Sequence, residues 1–302
     1  MNRFAFFLVL LVFWSTSDLL FAQSRVDAFL TPSDTLNYNR RNAVLIAEGS
    51  VAAATLVGLH ELWYANYPQS EFHFNNDNSE WLQMDKMGHV FSTYYLTNYS
   101  SNAMRWAGMS SKNQLIYGAS VGLAFMTTVE IFDGHSSNWG ASTGDFMANL
   151  FGSGLFVGQE LLWREQRIVP KFSYHSTAFA SQNPELLGSS WNEKLLKDYN
   201  GQTYWLSFNL YSFFKWEKIP KWFNLAFGYG AHGLLSANPQ TTFESESRHR
   251  QFYVSLDVDL TKIKTKSPLL KTFFSVFNAI KIPAPTLEFS CSHQVQWHFV
   301  YF

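Results

Sequence analysis

Three groups of polar residues interrupt apolar stretches of this 302-residue chain, and their side chains are of the kinds that do chemistry. The first is Asp85, Lys86 and His89. The second is Glu130, Asp133 and Gly134. The third is Ser142, Asp145, Asn149 and Gly152. A charge in an apolar setting costs several kcal/mol unless it is paired or ligated. Asp85 and His89 stand at i and i+4, with Ser92 at i+7, and so share one helix face. Glu130 and Asp133 are i and i+3, and Ser120 and Thr127 continue the Glu130 face. Asp145, Asn149 and Gly152 also fall on one face, with Gly152 leaving room beside Asn149.

Two chemistries suit this set. One is a cation site in which Glu130, Asp133, Asp145 and Asn149 offer oxygen and His89 offers nitrogen. A divalent metal is then the candidate cofactor, with His89, Glu130, Asp133 and Asp145 as its ligands. The other is acid/base catalysis by His89, Glu130, Asp133 and Asp145, with Asn149 orienting them. A histidine among partly buried carboxylates has split proton affinities and can activate water or a substrate hydroxyl. A third reading needs no chemistry. Asp145 then caps its helix, Asp133 serves a turn, Lys86 pairs with Glu130, and His89 is a satisfied core histidine. No His-Glu-x-x-His spacing and no Gly-x-Ser-x-Gly elbow occurs. His135, Ser136 and Ser137 form a weaker nucleophile candidate beyond Gly134. Sequence alone leaves open whether the chain is an enzyme.

Four helical segments must position these groups: residues 42–63, 80–106, 112–132 and 143–163. Ser142 serves the last as N-cap, with Asp145 completing a Ser-x-x-Asp capping box. Gly134 is expected to take the positive φ that stops the third. In an up-and-down bundle the three polar groups meet at one end, with His60 and Glu61 as a fourth contributor. Arg40, Arg41, Arg105, Lys112, Arg164 and Arg167 collect at the other end. Gly118 with Gly122, and Gly154 with Gly158, permit close helix approach. A bilayer span needs about 20 apolar residues. Residues 115–129 are clean but short, and Glu48, Asn149, Gln159 and Glu160 interrupt the others.

From residue 201 the period changes to two. Phe223, Leu225, Phe227 and Tyr229 alternate with small or polar residues. So do Phe252, Val254, Leu256 and Val258, and the odd-numbered residues from Leu287 to Tyr301. Residues 203–214 are a less regular fourth run. Residues 267–281 read as an amphipathic helix carrying Leu269, Phe273 and Phe277. The fold class is therefore α+β: an up-and-down helical bundle followed by a C-terminal antiparallel β-sheet of about four strands. The domains are a bundle over 40–165, a connector over 166–200 and a strand-rich region over 201–302. Four strands are too few to close a barrel, so the sheet is expected to pack its apolar face on the helices. The aromatic end at Phe302 also suits an outer-membrane strand.

Composition agrees with a lipid-facing role: 18% of residues are aromatic, 29 of them Phe, and 15% are charged. A net charge of -1 and the lack of a basic run exclude nucleic acid as a partner. A membrane lipid or another envelope component is the expected partner. Arg3, the apolar run 4–14 and Ala22 read as a signal peptide over residues 1–22. The mature chain is then exported to the periplasm and associated with a membrane, the outer in preference to the inner. Cys291 is the single cysteine, so stability comes from packing rather than an intrachain disulfide.

The three groups, in order, resemble the YfiM-like family of predicted periplasmic lipoproteins of unknown function. The shared pattern is Asp85-Lys86-x-x-His89, then Glu130-x-x-Asp133-Gly134, then Ser142-x-x-Asp145-x-x-x-Asn149-x-x-Gly152. The resemblance covers residues 80–160. Its last block is also faintly similar to VanZ-like membrane proteins. It implies an envelope location and no established activity. A lipid-accepting cysteine near the start is missing, so the family's anchor does not carry over. A non-catalytic envelope scaffold, or an outer-membrane-associated structural protein whose polar network fixes helix packing, is the rival reading.

Overall fold

A computed structural model describes residues 25–65, 67–240, 242–290 and 293–302. The signal-peptide reading lies outside these residues. Helix α1 (Tyr38–Leu59) starts where the Asn37 side chain accepts the Arg40 N–H at 3.0 Å, and it closes in a π-helical turn, His60–Tyr64. Helix α2 (Met84–Trp106) follows three left-handed residues, Trp81, Leu82 and Gln83. Helix α3 (Ser111–Gly134) and helix α4 (Thr143–Trp163) pack on α2, which sits at the centre of the group. The stretches Tyr38–Tyr64 and Ser111–Gly134 are long and apolar enough to cross a membrane, by length and composition.

Glycine sets the spacing around α2. A Cβ at Gly118 would lie 2.5 Å from the Thr97 carbonyl oxygen, and one at Gly152 would lie 2.3 Å from that of Val90. Gly118 and Gly122 thus mark the contact of α3 with α2. Gly154 and Gly158 do not: a Cβ at either meets nothing within 4 Å. They lie on a different face of α4 from Gly152. Gly134 also departs from expectation. It stays helical, and its lack of a side chain admits the Phe72 ring, 2.3 Å from where its Cβ would be.

Two short parallel strands, β1 (Phe74–Asn75) and β2 (Ala141–Ser142), tie the loop before α2 to the start of α4. The C-terminal half is one antiparallel meander: β3 (Ile168–Tyr174), β4 (Gln202–Asn209), β5 (Phe223–His232), β6 (His249–Val258), β7 (Ala284–Ser290) and β8 (His293–Tyr301), side by side in chain order. The α+β class is thus as read, with six strands in place of four. Strand β3 falls inside the stretch read as a connector. Its Pro170 is tolerated because β3 ends the sheet's strand order, so one side of its backbone needs no ladder partner. The run 287–301 is a hairpin, with Leu287 opposite Trp297. Alternation continues through the reversal, so periodicity could not reveal it.

The sheet buries its polar face. Thr203, Ser207 and Asn209 on β4, Asn224 on β5, Ser255 and Asp257 on β6, and Thr286 and Glu288 on β7 are all buried. Inside, Lys171 Nζ lies 2.9 Å from Asp257 Oδ2 and Lys281 Nζ lies 3.8 Å from Asp257 Oδ1, with both side chains inaccessible. Curling brings β8 back toward β4: Tyr301 and Thr203 hydroxyls are 3.2 Å apart, and the Tyr301 ring meets Trp205 and Tyr253. The other face carries Phe227, Phe252, Leu256, Phe289, Trp297 and Phe299, all exposed. The expected packing of this face on the helices holds along β3 to β5, where Phe91 meets Phe172 and Tyr204, and Met84 clusters with Tyr204 and Ala231. Helix α5 (Pro268–Phe277), started by the Ser267 side chain, also leaves Leu269, Phe273 and Phe277 exposed.

Candidate functional site

Helices α2 and α4 begin at the end of the bundle where α3 stops. Direction reversal therefore collects the three sequence groups, and it places them in two adjoining halves. In the first half Lys86 is the hub. Its Nζ lies 2.7 Å from Asp77 Oδ1, 2.9 Å from Asp85 Oδ2 and 3.0 Å from Asp145 Oδ1. Burial alone would lower the pKa of Lys86; Asp85, Asp145 and Asp77 outweigh it and hold the pKa above its ordinary value. Burial would raise that of Asp77, but its bonds to Lys86 and to the Ser142 hydroxyl hold it below the usual range. Asp85 is raised, because its burial exceeds the help from Lys86. The expected Lys86–Glu130 pairing is thus replaced by three aspartates.

The second half is built around His89. Asn149 Oδ1 lies 3.1 Å from His89 Nδ1 and 2.8 Å from the Thr93 hydroxyl. The Asn149 oxygen accepts, so Nδ1 carries the proton and Nε2 keeps its lone pair, 3.9 Å from Asp145 Oδ1. Glu130 Oε1 is 3.5 Å from the ring. Glu130 Oε2 accepts the Ser142 backbone N–H at 3.0 Å. Meanwhile Ser142 Oγ accepts the N–H groups of Gly144 and Asp145, at 3.1 and 3.2 Å. The capping box is therefore completed by Glu130 from α3, and Asp145 is freed for Lys86 and His89.

Electrostatics differ sharply between the halves. Burial holds His89 below its ordinary pKa, so the ring is neutral. Burial pushes Glu130 up to about 7 against the pull of His89. Burial, then the charge of Asp85, pushes Asp145 up to about 7. Asp85 Oδ1, Glu130 Oε1 and Asn149 Nδ2 are buried and make no hydrogen bond, while Asp145 Oδ1 is met by Lys86 Nζ at 3.0 Å. Native interiors hold few such atoms, and each needs a reason.

Among the described residues, two His/carboxylate groups bring their ligand atoms within 4.8 Å of one another: His89, Glu130 and Asp145, and Asp77, Asp85 and Asp145. Asp133 belongs to neither. It accepts the Tyr64 hydroxyl at 2.8 Å, and burial pushes it up to about 7. His60 and Glu61 stay outside as well: they are exposed, and the His60 ring packs on Phe132 and Tyr64. A π-helical turn widens the helix there and directs them outward. His135 contacts the Phe72 ring, and Ser137 Oγ donates to Asn138.

Sequence reasoning missed Asp77, Tyr64 and Thr93. Asp77 is the only acid in the polar run 75–79, a weak signal. Thr93 stands four residues after His89, so helical spacing could have found it. Tyr64 carries no sequence signal, because the π turn sets its direction.

A groove of about 850 Å³ opens beside this cluster. Apolar side chains of α1, α2 and α3 line it, among them Val51, Leu59, Phe91, Leu96, Phe125 and Val129. It also reaches His89, Asp85, Asp133 and Asp145. Most of its wall is apolar and its chemistry is confined to one part, the usual make-up of a small-molecule site.

Residues 70–158 match the family described as Predicted periplasmic lipoprotein (DUF2279). The match takes in all three polar groups, and this is the family their pattern resembles. The match does not extend to the sheet. No curated protein and no solved structure matches the chain.

Proposed function

We propose that this is a cell-envelope protein, exported to the periplasm and held at a membrane, that takes a lipid into the groove and acts on its headgroup. One observation carries the reading: a single groove joins an apolar wall to the buried His89, Glu130 and Asp145 cluster through its His89 and Asp145 edge. An amphiphile matches both surfaces. The chain would lie along α1 and α3, and the headgroup at the start of α2 and α4. The reaction class is hydrolysis or transfer. His89 Nε2, oriented by Asn149, is placed to activate a water or hydroxyl, and Glu130 and Asp145 can share a proton near neutral pH.

Membrane association rests on the exterior. The sheet encloses lysines and aspartate and turns Phe227, Phe252, Leu256, Phe289 and Trp297 outward. An apolar outside around a polar inside is the arrangement of proteins solvated by hydrocarbon. This favours the outer membrane, where strand-built exteriors of this kind reside. The Lys86 half answers the scaffold reading locally: three aspartates around one ammonium ion fix the register of α2 against α4.

The test is lipid retention. Wild-type protein purified from membranes in mild detergent is extracted, and its lipids are counted by mass spectrometry. About one lipid per chain is expected. Ala52→Trp, which fills the groove from α1, should lose it. His89→Ala should keep the lipid and lose any turnover of it. Equal, low lipid content in wild type and Ala52→Trp would overturn the proposal.

A further inference from the structure

The two halves of the polar cluster differ in what neutralises them. Lys86 serves Asp77, Asp85 and Asp145. Among the described residues no lysine or arginine lies within ion-pair distance of Glu130, whose Oε1 is 3.5 Å from His89 Nδ1. Three carboxylates therefore surround the one lysine, and a fourth, Glu130, stands beside His89. Glu130 and Asp145 are 6% and 5% exposed, and Asn149 is 1% exposed. Glu130 Oε1 and Asn149 Nδ2 are buried atoms with no hydrogen bond, and Asp145 Oδ1 is met by the Lys86 ammonium at 3.0 Å. A purely structural network would have turned the unmet atoms toward partners, since a buried polar atom without one is costly.

We propose that His89, Glu130 and Asp145 hold one divalent transition-metal ion, of the zinc or manganese class, between α2, α3 and α4. The donor set is one imidazole nitrogen and two carboxylate oxygens, the mixed set such ions take when they keep an open position. His89 Nε2 and Asp145 Oδ1 are 3.9 Å apart, Glu130 Oε1 lies 3.5 Å from His89 Nδ1, and one ligand atom from each of the three residues falls within 4.8 Å of the others. Metal–ligand bonds of about 2.1 Å separate ligand atoms by roughly 3 to 4 Å, so small side-chain rotations complete the site. The surroundings fit as well. Asn149 Oδ1 holds His89 Nδ1–H and so fixes the tautomer that presents Nε2, the part an outer partner plays in metal–histidine sites. Ser142 N–H holds the second oxygen of Glu130, leaving Oε1 free for the ion. The ion would offset the charges of Glu130 and Asp145; with Nε2 ligating it, activation of the water passes from His89 to the ion, whose bound water would be the nucleophile that the headgroup reading requires. The inference rests on that reading for its purpose, but not for its test.

Untagged protein in detergent is stripped with chelator, reloaded with zinc chloride or manganese chloride, and passed over a desalting column. Metal content is measured by plasma mass spectrometry, and bound manganese by electron paramagnetic resonance. Wild type should retain about one ion per chain. His89→Ala, Glu130→Gln and Asp145→Asn should each retain it at least tenfold more weakly, with unchanged circular dichroism. His60→Ala, at the exposed His60–Glu61 pair, should bind as wild type does. Should one of the three substitutions prevent folding, the other two carry the comparison. Retention below a tenth of an ion, or binding that survives His89→Ala and Asp145→Asn, would overturn the metal site. Lipid content is measured on the stripped protein in parallel, so a failed metal site and a failed lipid reading give different results.

Discussion

Replacing Gly152 with alanine should damage the polar cluster without touching any residue in it. The added Cβ would sit 2.3 Å from the Val90 carbonyl oxygen, about 1 Å short of an ordinary contact. Backbone lies on both sides, so no rotamer relieves the clash and α4 must move away from α2. The movement acts on the turn that carries Asn149, whose Oδ1 is 3.1 Å from His89 Nδ1. A shift of that size breaks the bond and frees the ring. Overpacking of this kind costs about 1–3 kcal/mol. The better helix propensity of alanine returns about 1 kcal/mol, leaving a net loss of about 0–2 kcal/mol. Gly154→Ala is the internal control. It lies on the same helix, meets nothing within 4 Å, and should be neutral or stabilising by up to about 1 kcal/mol. Both variants can be followed by denaturant unfolding in detergent with far-UV circular dichroism, and by retention of zinc. Gly152→Ala should lose stability and metal together, and Gly154→Ala neither. Equal stability of the two variants, or loss confined to Gly154→Ala, would refute the close-approach argument.

Four further outcomes follow from named contacts. Asp257→Asn removes the carboxylate facing both Lys171 and Lys281 and should destabilise the sheet by about 3–5 kcal/mol, read as a lowered unfolding midpoint. Burial pulls Lys281 down to about 8, below its ordinary value. The unfolded chain then holds this proton more tightly, so stability should rise between about pH 8 and 10.5 by up to roughly 3 kcal/mol. Lys281→Met should flatten that rise in a pH series of melts. Lys86→Met strips the one cation from Asp77, Asp85 and Asp145 and should unfold the bundle more readily at pH 8 than at pH 5, where protons take its place. Ser142→Ala removes the N-cap of α4 and a hydroxyl partner of Asp77 and should cost about 1 kcal/mol in unfolding free energy.

Much of the site could be read from the chain because helix direction is a one-dimensional fact. Once four apolar segments alternate in direction, Asp85, His89, Glu130 and Asp145 must meet. Spacing of three and four residues further fixes that Asp145 and Asn149 share a face, as do Asp85 and His89. The class of fold and the character of the two halves follow in the same way from periods of 3.6 and two. Partners are another matter. Which carboxylate Lys86 takes depends on Asp77, in a loop held by the β1–β2 pair. That Glu130 completes the cap of α4 depends on the crossing of α3 and α4, which brings its oxygen 3.0 Å from the Ser142 N–H. Asp133 accepts the hydroxyl of Tyr64 from the π turn that ends α1, and the His60 ring packs on Phe132 and Tyr64, outside the cluster.

The sheet draws the sharpest line between the two levels. Alternation in sequence establishes that each strand has an apolar and a polar face, and nothing more, because period two is blind to which face is inside. Only the curl of the six-stranded sheet decided it. Curling brought Tyr301 to Thr203 and shut Lys171, Lys281 and Asp257 within, so the apolar faces went outward. Burial is a property of the assembled surface, and no residue's own neighbours along the chain can specify it.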